Sequence, residues 1–79
     1  MWKEGTIGIP GADGTNTICH YCVKHYEEGS VFGIEGGRIS KLMIKVGDKV
    51  TCNYDRGWDV EPADEATAKA LAILMHDYN

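Results

Sequence analysis

The chain has 79 residues, and its 12 Asp and Glu against 8 Lys and Arg give a net charge of −4. This acid excess is opposite to the charge of proteins that grip phosphate backbones, so we expect no direct nucleic-acid binding. It suits a protein partner with a basic surface, although mild acidity is also ordinary for solubility. The N-terminus lacks a signal-peptide pattern, and no apolar run approaches the roughly 20 residues that span a bilayer, so we expect a cytoplasmic protein without membrane association.

The length predicts a single domain, residues 1–79, with a small core. Such a core rarely supplies more than roughly 3–5 kcal/mol, so a metal, a disulfide or a partner subunit would add useful stability. The three cysteines cannot all pair within one chain. In a reducing cytosol, clustered cysteines are more typical of metal binding or catalysis than of disulfides.

The first third of the chain predicts two strands. The stretch "WKEGTIGI", residues 2–9, indicates a short strand, and "PGADGTN", residues 10–16, has the composition of an exposed loop. Residues 18–26 are mainly β-branched, aromatic or sulfur-bearing, which favours a second strand. The glycine-rich "EEGSVFGIEGG" that follows cannot be a regular element, but its Val31, Phe32 and Ile34 predict an ordered loop folded back on the core.

The middle of the chain predicts a β-hairpin, formed by "RISKLMIKV" and "KVTCNYDRG" with a three-residue loop and a bulge. This loop gathers apolar side chains on one sheet face by placing Val46 opposite Val50, Ile44 opposite Cys52 and Leu42 opposite Tyr54. A two-residue loop would instead mix lysines into that face, by setting Lys45 against Val50 and Met43 against Cys52.

The last third predicts a turn-like "DRGWDVEP" and then a helix over residues 63–78. Pro62 suits the first helical turn, and Asp64 and Glu65 complement the positive end of the helix dipole. Helical spacing places Ala66, Ala70, Ile73 and Leu74 on the packing face. The chain therefore predicts an α+β fold: a small antiparallel meander of three to four strands with one C-terminal helix on one face.

Cysteine and histidine supply the clearest candidate for a metal site. Cys19, Cys22 and Cys52 with His25 are the ligand types of a Cys3His structural zinc site, and His20 is an alternative imidazole. An ion held in this way would add folding energy on the order of 10–16 kcal/mol. We therefore predict one structural Zn²⁺.

The predicted zinc site depends on the local backbone. In an extended strand Cys19 and Cys22 point to opposite faces, so both can bind one ion only if residues 18–22 turn. Two other arrangements stay open: His20 and Cys22 as a chelating pair on one strand face, and Cys52 as a small buried apolar side chain. A thiol-dependent redox protein using Cys19 and Cys22 is the alternative function, although the helix that usually follows a redox C-x-x-C is missing here.

Carboxylates around an aromatic residue predict a surface for a protein partner. A Trp flanked by acidic residues can anchor a contact with a basic surface, although a structural corner explains the same residues. The predicted contact residues are Glu27, Glu28, Glu35, Asp55, Trp58, Asp59 and Glu61.

The segments "KHYEEGSVFGIEGGRISKLMIKVGDKV" and "NYDRGWDVEP" resemble small proteins encoded by phages and prophages of Firmicutes. In size, acidity and cysteine–histidine content the chain is similar to zinc-containing anti-CRISPR proteins directed against the type II nuclease. This resemblance implies a non-enzymatic inhibitor in a bacterial host cell that binds the CRISPR nuclease and prevents loading of target DNA. The sequence does not determine the oligomeric state, and we favour a monomer. It implies that zinc maintains the fold, and a metal-free accessory phage module is the other reading of the same resemblance.

Overall fold

The computed structural model describes residues 1–79 as five strands followed by one helix. The strands cover Trp2–Pro10 (β1), Asn16–His25 (β2), Ile39–Val46 (β3), Lys49–Asp55 (β4) and Trp58–Val60 (β5). A 3₁₀ turn at Ile34–Gly36 lies in the long loop between β2 and β3, and the helix α1 covers Glu65–Tyr78. No helix of the structure has the length and hydropathy needed to cross a membrane.

All five strands form one antiparallel sheet in which each strand pairs with its neighbour in sequence. The predicted α+β meander with a C-terminal helix is therefore confirmed, but the sheet has five strands rather than three or four. The additional strand is β5, which lies in the segment predicted to be only a turn. The turn before it contains Arg56 at a positive φ of 59°, a conformation that a bulky residue seldom adopts.

The β3–β4 hairpin has the predicted pairing along most of its length. Ile44 lies opposite Cys52, and Leu42 lies opposite Tyr54. All four side chains are buried on the same face of the sheet. The apolar pattern therefore predicts this register correctly, because a slip of one residue would move all of these side chains to the other face.

The turn of the same hairpin differs from the prediction. Val46 lies opposite Lys49 and not opposite Val50, so the connection is a two-residue loop that begins with Gly47 at φ 60°. A bulge at Thr51 then shifts the register by one residue. The bulge reconciles the shorter loop with the apolar pattern, which is why both alternatives were partly correct.

The core lies between α1 and the sheet face that it covers. α1 contacts β1, β2 and β3, and the opposite sheet face, which we call the open face, has no helix over it. Full burial of each large apolar side chain contributes about 1.5–3 kcal/mol. The buried apolar residues are Ile9, Cys19, Val23, Ile34, Ile39, Leu42, Ile44, Cys52, Tyr54, Ala70, Leu71 and Leu74.

The start of α1 is fixed by a side-chain cap. Asp64 is the N-cap residue, and its carboxylate accepts a hydrogen bond of 2.7 Å from the backbone N–H of Thr67. The helix thus begins at Glu65, two residues later than predicted, and Pro62 lies before it and not in its first turn.

The packing face of α1 is rotated relative to the prediction. Ala70 and Leu74 are buried as expected, but Ile73 is 42% exposed and Leu71 is buried in its place. Thr67 is also fully buried, where its hydroxyl meets that of Thr51 on β4. Polar contact with β4 therefore helps to set the rotation of the helix about its axis.

Residues 26–38 form an ordered loop, but only one of its predicted anchors is buried. Ile34 is 1% exposed, whereas Val31 is 90% and Phe32 56% exposed, so the expected burial of the latter two is wrong. The side chain of Asn79 fixes the loop through two hydrogen bonds. It accepts one from the Ile39 backbone N–H at 2.9 Å and donates one to the Ile34 carbonyl at 3.1 Å. The loop is thus fixed by backbone and amide hydrogen bonds around one apolar anchor.

Candidate functional site

The two cysteines of the C-x-x-C segment point away from each other. β2 continues unbroken from Asn16 to His25, so the turn needed for a zinc knuckle is not formed. Cys19 is buried in the core, whereas Cys22 lies on the open face opposite Met43. Side chains alternate along a strand, and a step of three residues therefore separates the two thiols by the thickness of the sheet.

The other two predicted ligands lie too far away to complete the site. Cys19 and His25 are six residues apart on β2, or about 20 Å at about 3.3 Å per residue, while zinc ligands lie only about 2.0–2.3 Å from the ion. Cys52 is on β4, with β3 between it and β2. The structure therefore does not bring together Cys19, Cys22, Cys52 and His25, and no group of three His, Cys, Asp or Glu side chains is placed to hold a metal ion.

The alternative pair His20 and Cys22 does share the open face. Glu4 of β1 lies opposite Cys22, and these three residues line a shallow cavity of about 340 Å³ together with Lys45. Even so, the three side chains do not form a group that could hold a metal. The zinc prediction thus has no matching ligand set, and metal analysis of the purified protein is its direct test.

His25 instead packs as an uncharged ring at the end of β2. Its centroid lies 5.0 Å from that of Tyr78, and its buried Nε2 has no hydrogen-bond partner. Burial lowers the pKa of His25, and the positive charges of the N-terminus, Arg38 and Lys3 lower it further. A neutral, partly buried imidazole of this kind stabilises the fold through packing.

All three thiols are less acidic than a free cysteine. Burial raises the pKa of Cys52 to about 11 and also raises the pKa of Cys19, to which Asp64 adds a smaller effect. Burial likewise raises the pKa of Cys22, with the nearby Glu4 carboxylate as a second cause. A redox or nucleophilic cysteine needs the opposite shift, so these surroundings disfavour the thiol-dependent alternative.

Exposed aromatic side chains collect where the long loop meets β4 and β5. Trp58 packs edge-to-face on Tyr54, with ring centroids 5.1 Å apart, and remains 43% exposed. The Tyr54 hydroxyl donates to the Phe32 carbonyl at 2.9 Å, which ties the loop to the sheet. We call the region of Val31, Phe32, Tyr54 and Trp58 the aromatic end; Tyr54 is itself buried, and the other three side chains are exposed.

The predicted carboxylates lie near the aromatic end but do not all share one face. Glu27, Glu28 and Glu35 are exposed on the loop, and Glu61 is exposed after β5. The last two predicted carboxylates lie on the open face, where Asp55 pairs with Lys41 at 3.7 Å and Asp59 accepts from the Asn53 amide at 3.1 Å. Trp58 is on the helix side, opposite Tyr54. The predicted patch therefore wraps around one edge of the sheet.

The net charge of the chain resides on the two segments that build this region. Residues 26–38 carry three Glu and one Arg, and residues 55–61 carry three acidic residues and one Arg. Each segment thus has a charge of −2, which together equal the net charge of −4 for the whole chain. The remaining six acidic and six basic residues cancel. The acid excess therefore comes from these two segments of the sequence, although Lys24 and Lys41 of the neighbouring strands lie beside them.

Val31 and Phe32 are the residues of this surface that sequence reasoning missed. The apolar residues between glycines predict three anchors for the loop, and only Ile34 is buried. The signal that distinguishes them is the absence of an alternating pattern, since Val31 and Phe32 are adjacent and cannot both face the core from an extended backbone.

Comparison with known proteins assigns the chain to a family. No curated protein matches the chain, and no solved structure matches it. A family match covers residues 1–79, and the family is described as a domain of unknown function, DUF7678. Over its whole length, therefore, the chain belongs to the DUF7678 family.

Proposed function

We propose that this chain is a non-enzymatic binding protein that docks on a basic surface of a protein partner through its aromatic end. The observation that carries the proposal is the coincidence of charge and exposed apolar surface. The two segments that hold the entire net charge of −4 also carry Val31, Phe32 and Trp58, which are exposed. Anchors of this kind within a charged rim are the usual anatomy of a protein interface.

The energetic roles of the two components differ. Aromatic side chains that become buried in a partner supply most of the affinity, and Trp is the most enriched residue at such hot spots. Rim carboxylates mainly steer the encounter and select the partner, and their effect weakens as salt screens them. We therefore expect Trp58 to control the dissociation rate of the complex and the carboxylates to control its association rate.

The properties of the three cysteines fit a binding protein better than an enzyme that uses a thiol. The thiols of Cys19, Cys22 and Cys52 all have raised pKa values, so little thiolate is present at neutral pH. Binding of a partner through the aromatic end, in contrast, requires no reactive group.

The partner can be sought with immobilised protein and three single variants. We expect a specific partner to bind the wild-type chain and to be lost with Val31→Ser and with Trp58→Ser. Ile73→Ser is the matched control, because Ile73 is equally apolar and 42% exposed but lies on α1. A protein captured equally by all four chains is not the partner. If every captured protein behaves in that way, the proposal fails.

One partner can be tested directly. The resemblance to small phage proteins implies a type II CRISPR nuclease, whose channels for guide and target present basic, backbone-contacting surfaces. Saturating wild-type protein should then block target-DNA loading and cleavage by the purified nuclease, and Trp58→Ser should restore both. Unchanged loading and cleavage at saturating protein would exclude this nuclease and leave docking on another partner to the capture experiment.

A further inference from the structure

Three of the eight basic residues of this acidic chain meet at one cavity. It lies at the end of the sheet where β2 and β4 finish and β3 begins, and its volume is about 210 Å³. Lys24, Lys41 and Arg56 line it together with Tyr26 and Phe32, two serines complete it, and no carboxylate belongs to its wall. We call it the cationic pocket.

The cations of the pocket are held close together against their mutual repulsion. Lys24 and Lys41 are direct cross-strand partners on the open face. Like charges placed opposite each other destabilise a sheet. Lys41 has one carboxylate nearby, Asp55 at 3.7 Å, whereas Lys24 and Arg56 have no ion pair. The arrangement lowers stability unless something negative binds between these groups.

Aromatic rings fix the positions of the two unpaired cations. The Lys24 ammonium lies 5.7 Å from the Trp2 ring centroid and 5.6 Å from that of Tyr26. The Arg56 guanidinium lies 5.8 Å from the Phe32 centroid. Cation–π contacts at these distances restrain long side chains that would otherwise be mobile. The cations are therefore partly preorganised, which reduces the entropy that a ligand must overcome.

The backbone conformation of Arg56 also supports a site for a negatively charged ligand. Its φ of 59° is in the left-handed region, where a glycine would be unstrained. A neighbouring glycine, Gly57, is available in this turn, yet the strained position carries the arginine. A strained backbone at a charged residue is typical of functional positions.

Hydroxyl groups complete the lining. Ser40 and Ser30 face the pocket, and Tyr26 contributes a phenol. A hydrogen bond from Lys24 lowers the pKa of the Tyr26 hydroxyl, and the Lys24 and Arg56 charges add to this effect. The surroundings of the pocket thus favour negative charge on an oxygen more than water does.

We propose that the cationic pocket binds the dianionic phosphate of a phosphate monoester. Lys24, Lys41 and Arg56 contribute three positive charges, and the Asp55 carboxylate beside Lys41 offsets one. A dianion therefore neutralises the site, whereas the single charge of a carboxylate or a phosphodiester leaves one cation unpaired. The Arg56 guanidinium offers two donors to one phosphate, and the lysines act as point charges. This inference does not rest on the docking proposal, although Phe32 lines the pocket and also belongs to the aromatic end.

The test uses full-length chain in NMR titrations at pH 8, where a monoester is dianionic because its second pKa is about 6. Inorganic phosphate and O-phosphoserine should shift the amide signals around Lys24, Lys41 and Arg56 saturably. Acetate and dimethyl phosphate at equal ionic strength should not. Comparing O-phosphoserine with a phosphoserine peptide identifies the source: equal affinity indicates a small molecule, and tighter peptide binding indicates a phosphorylated protein. Both results support the proposal.

Variants separate binding from folding. Lys24→Gln should weaken phosphate binding about tenfold, the factor for one hydrogen bond to a charged group, whereas Lys45→Gln on the same face should have no effect. Arg56→Gly should weaken binding by a similar factor while raising Tm, because it relieves the positive φ. Three results would overturn the proposal: no saturable shift with phosphate beyond that with acetate, equal affinity for dimethyl phosphate, or unchanged binding in both Lys24→Gln and Arg56→Gly.

Discussion

The hydroxyl of Thr67 donates a hydrogen bond to the hydroxyl of Thr51 across 2.8 Å in the buried contact between α1 and β4. The two side chains are 0% and 2% exposed, so neither hydroxyl can turn to water instead. The Thr51 hydroxyl in turn donates a hydrogen bond to the Ile44 carbonyl at 3.4 Å. Two consecutive hydrogen bonds thus connect α1 to the bulge of β4 and to the backbone of β3.

Replacing both of these threonines should cost less than the sum of the two single replacements. Thr67→Val leaves the Thr51 oxygen without its donor, and we expect a loss of about 1 kcal/mol in the free energy of unfolding. Thr51→Val should destabilise by a similar amount. The double variant removes both polar groups together and should lie closer to wild type than the sum of the two losses. Urea denaturation of all four chains gives the coupling directly, and strict additivity would contradict the interaction.

Asn79 should contribute to stability well beyond its position at the edge of the fold. Asn79→Ala leaves the backbone N–H of Ile39 and the carbonyl of Ile34 without their amide partner. We expect a loss of about 1–3 kcal/mol by chemical denaturation. Asn79→Asp keeps the acceptor and loses the donor, so this variant should lose less stability than Asn79→Ala. Asn16→Ala, at an exposed position, serves as the control and should match wild type.

Stability should fall on acidification because of His25. Its pKa in the folded chain is lowered below the ordinary value of 6.5, so the unfolded chain takes up the proton first. This contribution is therefore fully present above the unfolded pKa and is lost as the pH falls below about 6.5. His25→Phe should flatten the decline in Tm between pH 7.5 and 5.5. His20→Gln should leave the decline in place, and an unchanged slope in the Phe variant would count against this assignment.

Thiol labelling should distinguish the two faces of the sheet. Cys22 lies partly exposed on the open face, whereas Cys19 and Cys52 are buried and the pKa of Cys52 is about 11. With iodoacetamide at pH 8, we expect one slow adduct at Cys22 and modification of the other two only on unfolding. Peptide mass spectrometry locates the adducts. Rapid labelling of Cys19 in the folded Cys22→Ser variant would show that the core is open there.

Chelation should leave the fold intact. Because Cys19 and Cys22 occupy opposite faces and His25 is about 20 Å from Cys19 along the strand, no single ion can link them. We expect the same Tm with and without excess EDTA in untagged protein. A large drop in Tm, together with one zinc per chain by elemental analysis, would establish the original zinc prediction and require a different arrangement of β2.

Features set by residues close in sequence were predictable, and features set by contacts between distant residues were not. The alternation of apolar and polar residues predicted which face of the β3–β4 hairpin is buried, because this alternation is a local property of a strand. It also implied that Cys19 and Cys22 point to opposite faces if β2 is continuous. The rotation of α1 toward Leu71 instead of Ile73 depends on Thr51, which is distant in sequence. Likewise the turn that leads into β5 contains Arg56 at a positive φ, for which the residue type gives no indication.

The candidate sites show the same division. The carboxylates and Trp58 were recognisable from composition, and the raised thiol pKa values follow from burial that only the fold supplies. The cationic pocket could not have been predicted, because it depends on Lys24 and Lys41 meeting across two strands and on Arg56 reaching them from the next turn. In a chain with an acid excess, composition directs attention away from such a site.

Strand order has a further consequence for how this protein folds. Since every strand pairs with its sequence neighbour, the sheet can assemble hairpin by hairpin, and every step except the pairing of β2 with β3 closes only a short stretch of chain. Assembly of this kind is rapid and shortens the period in which unpaired strands are available to other molecules. That matters for this fold in particular, because the nine residues of β1 keep one free backbone edge even in the finished sheet.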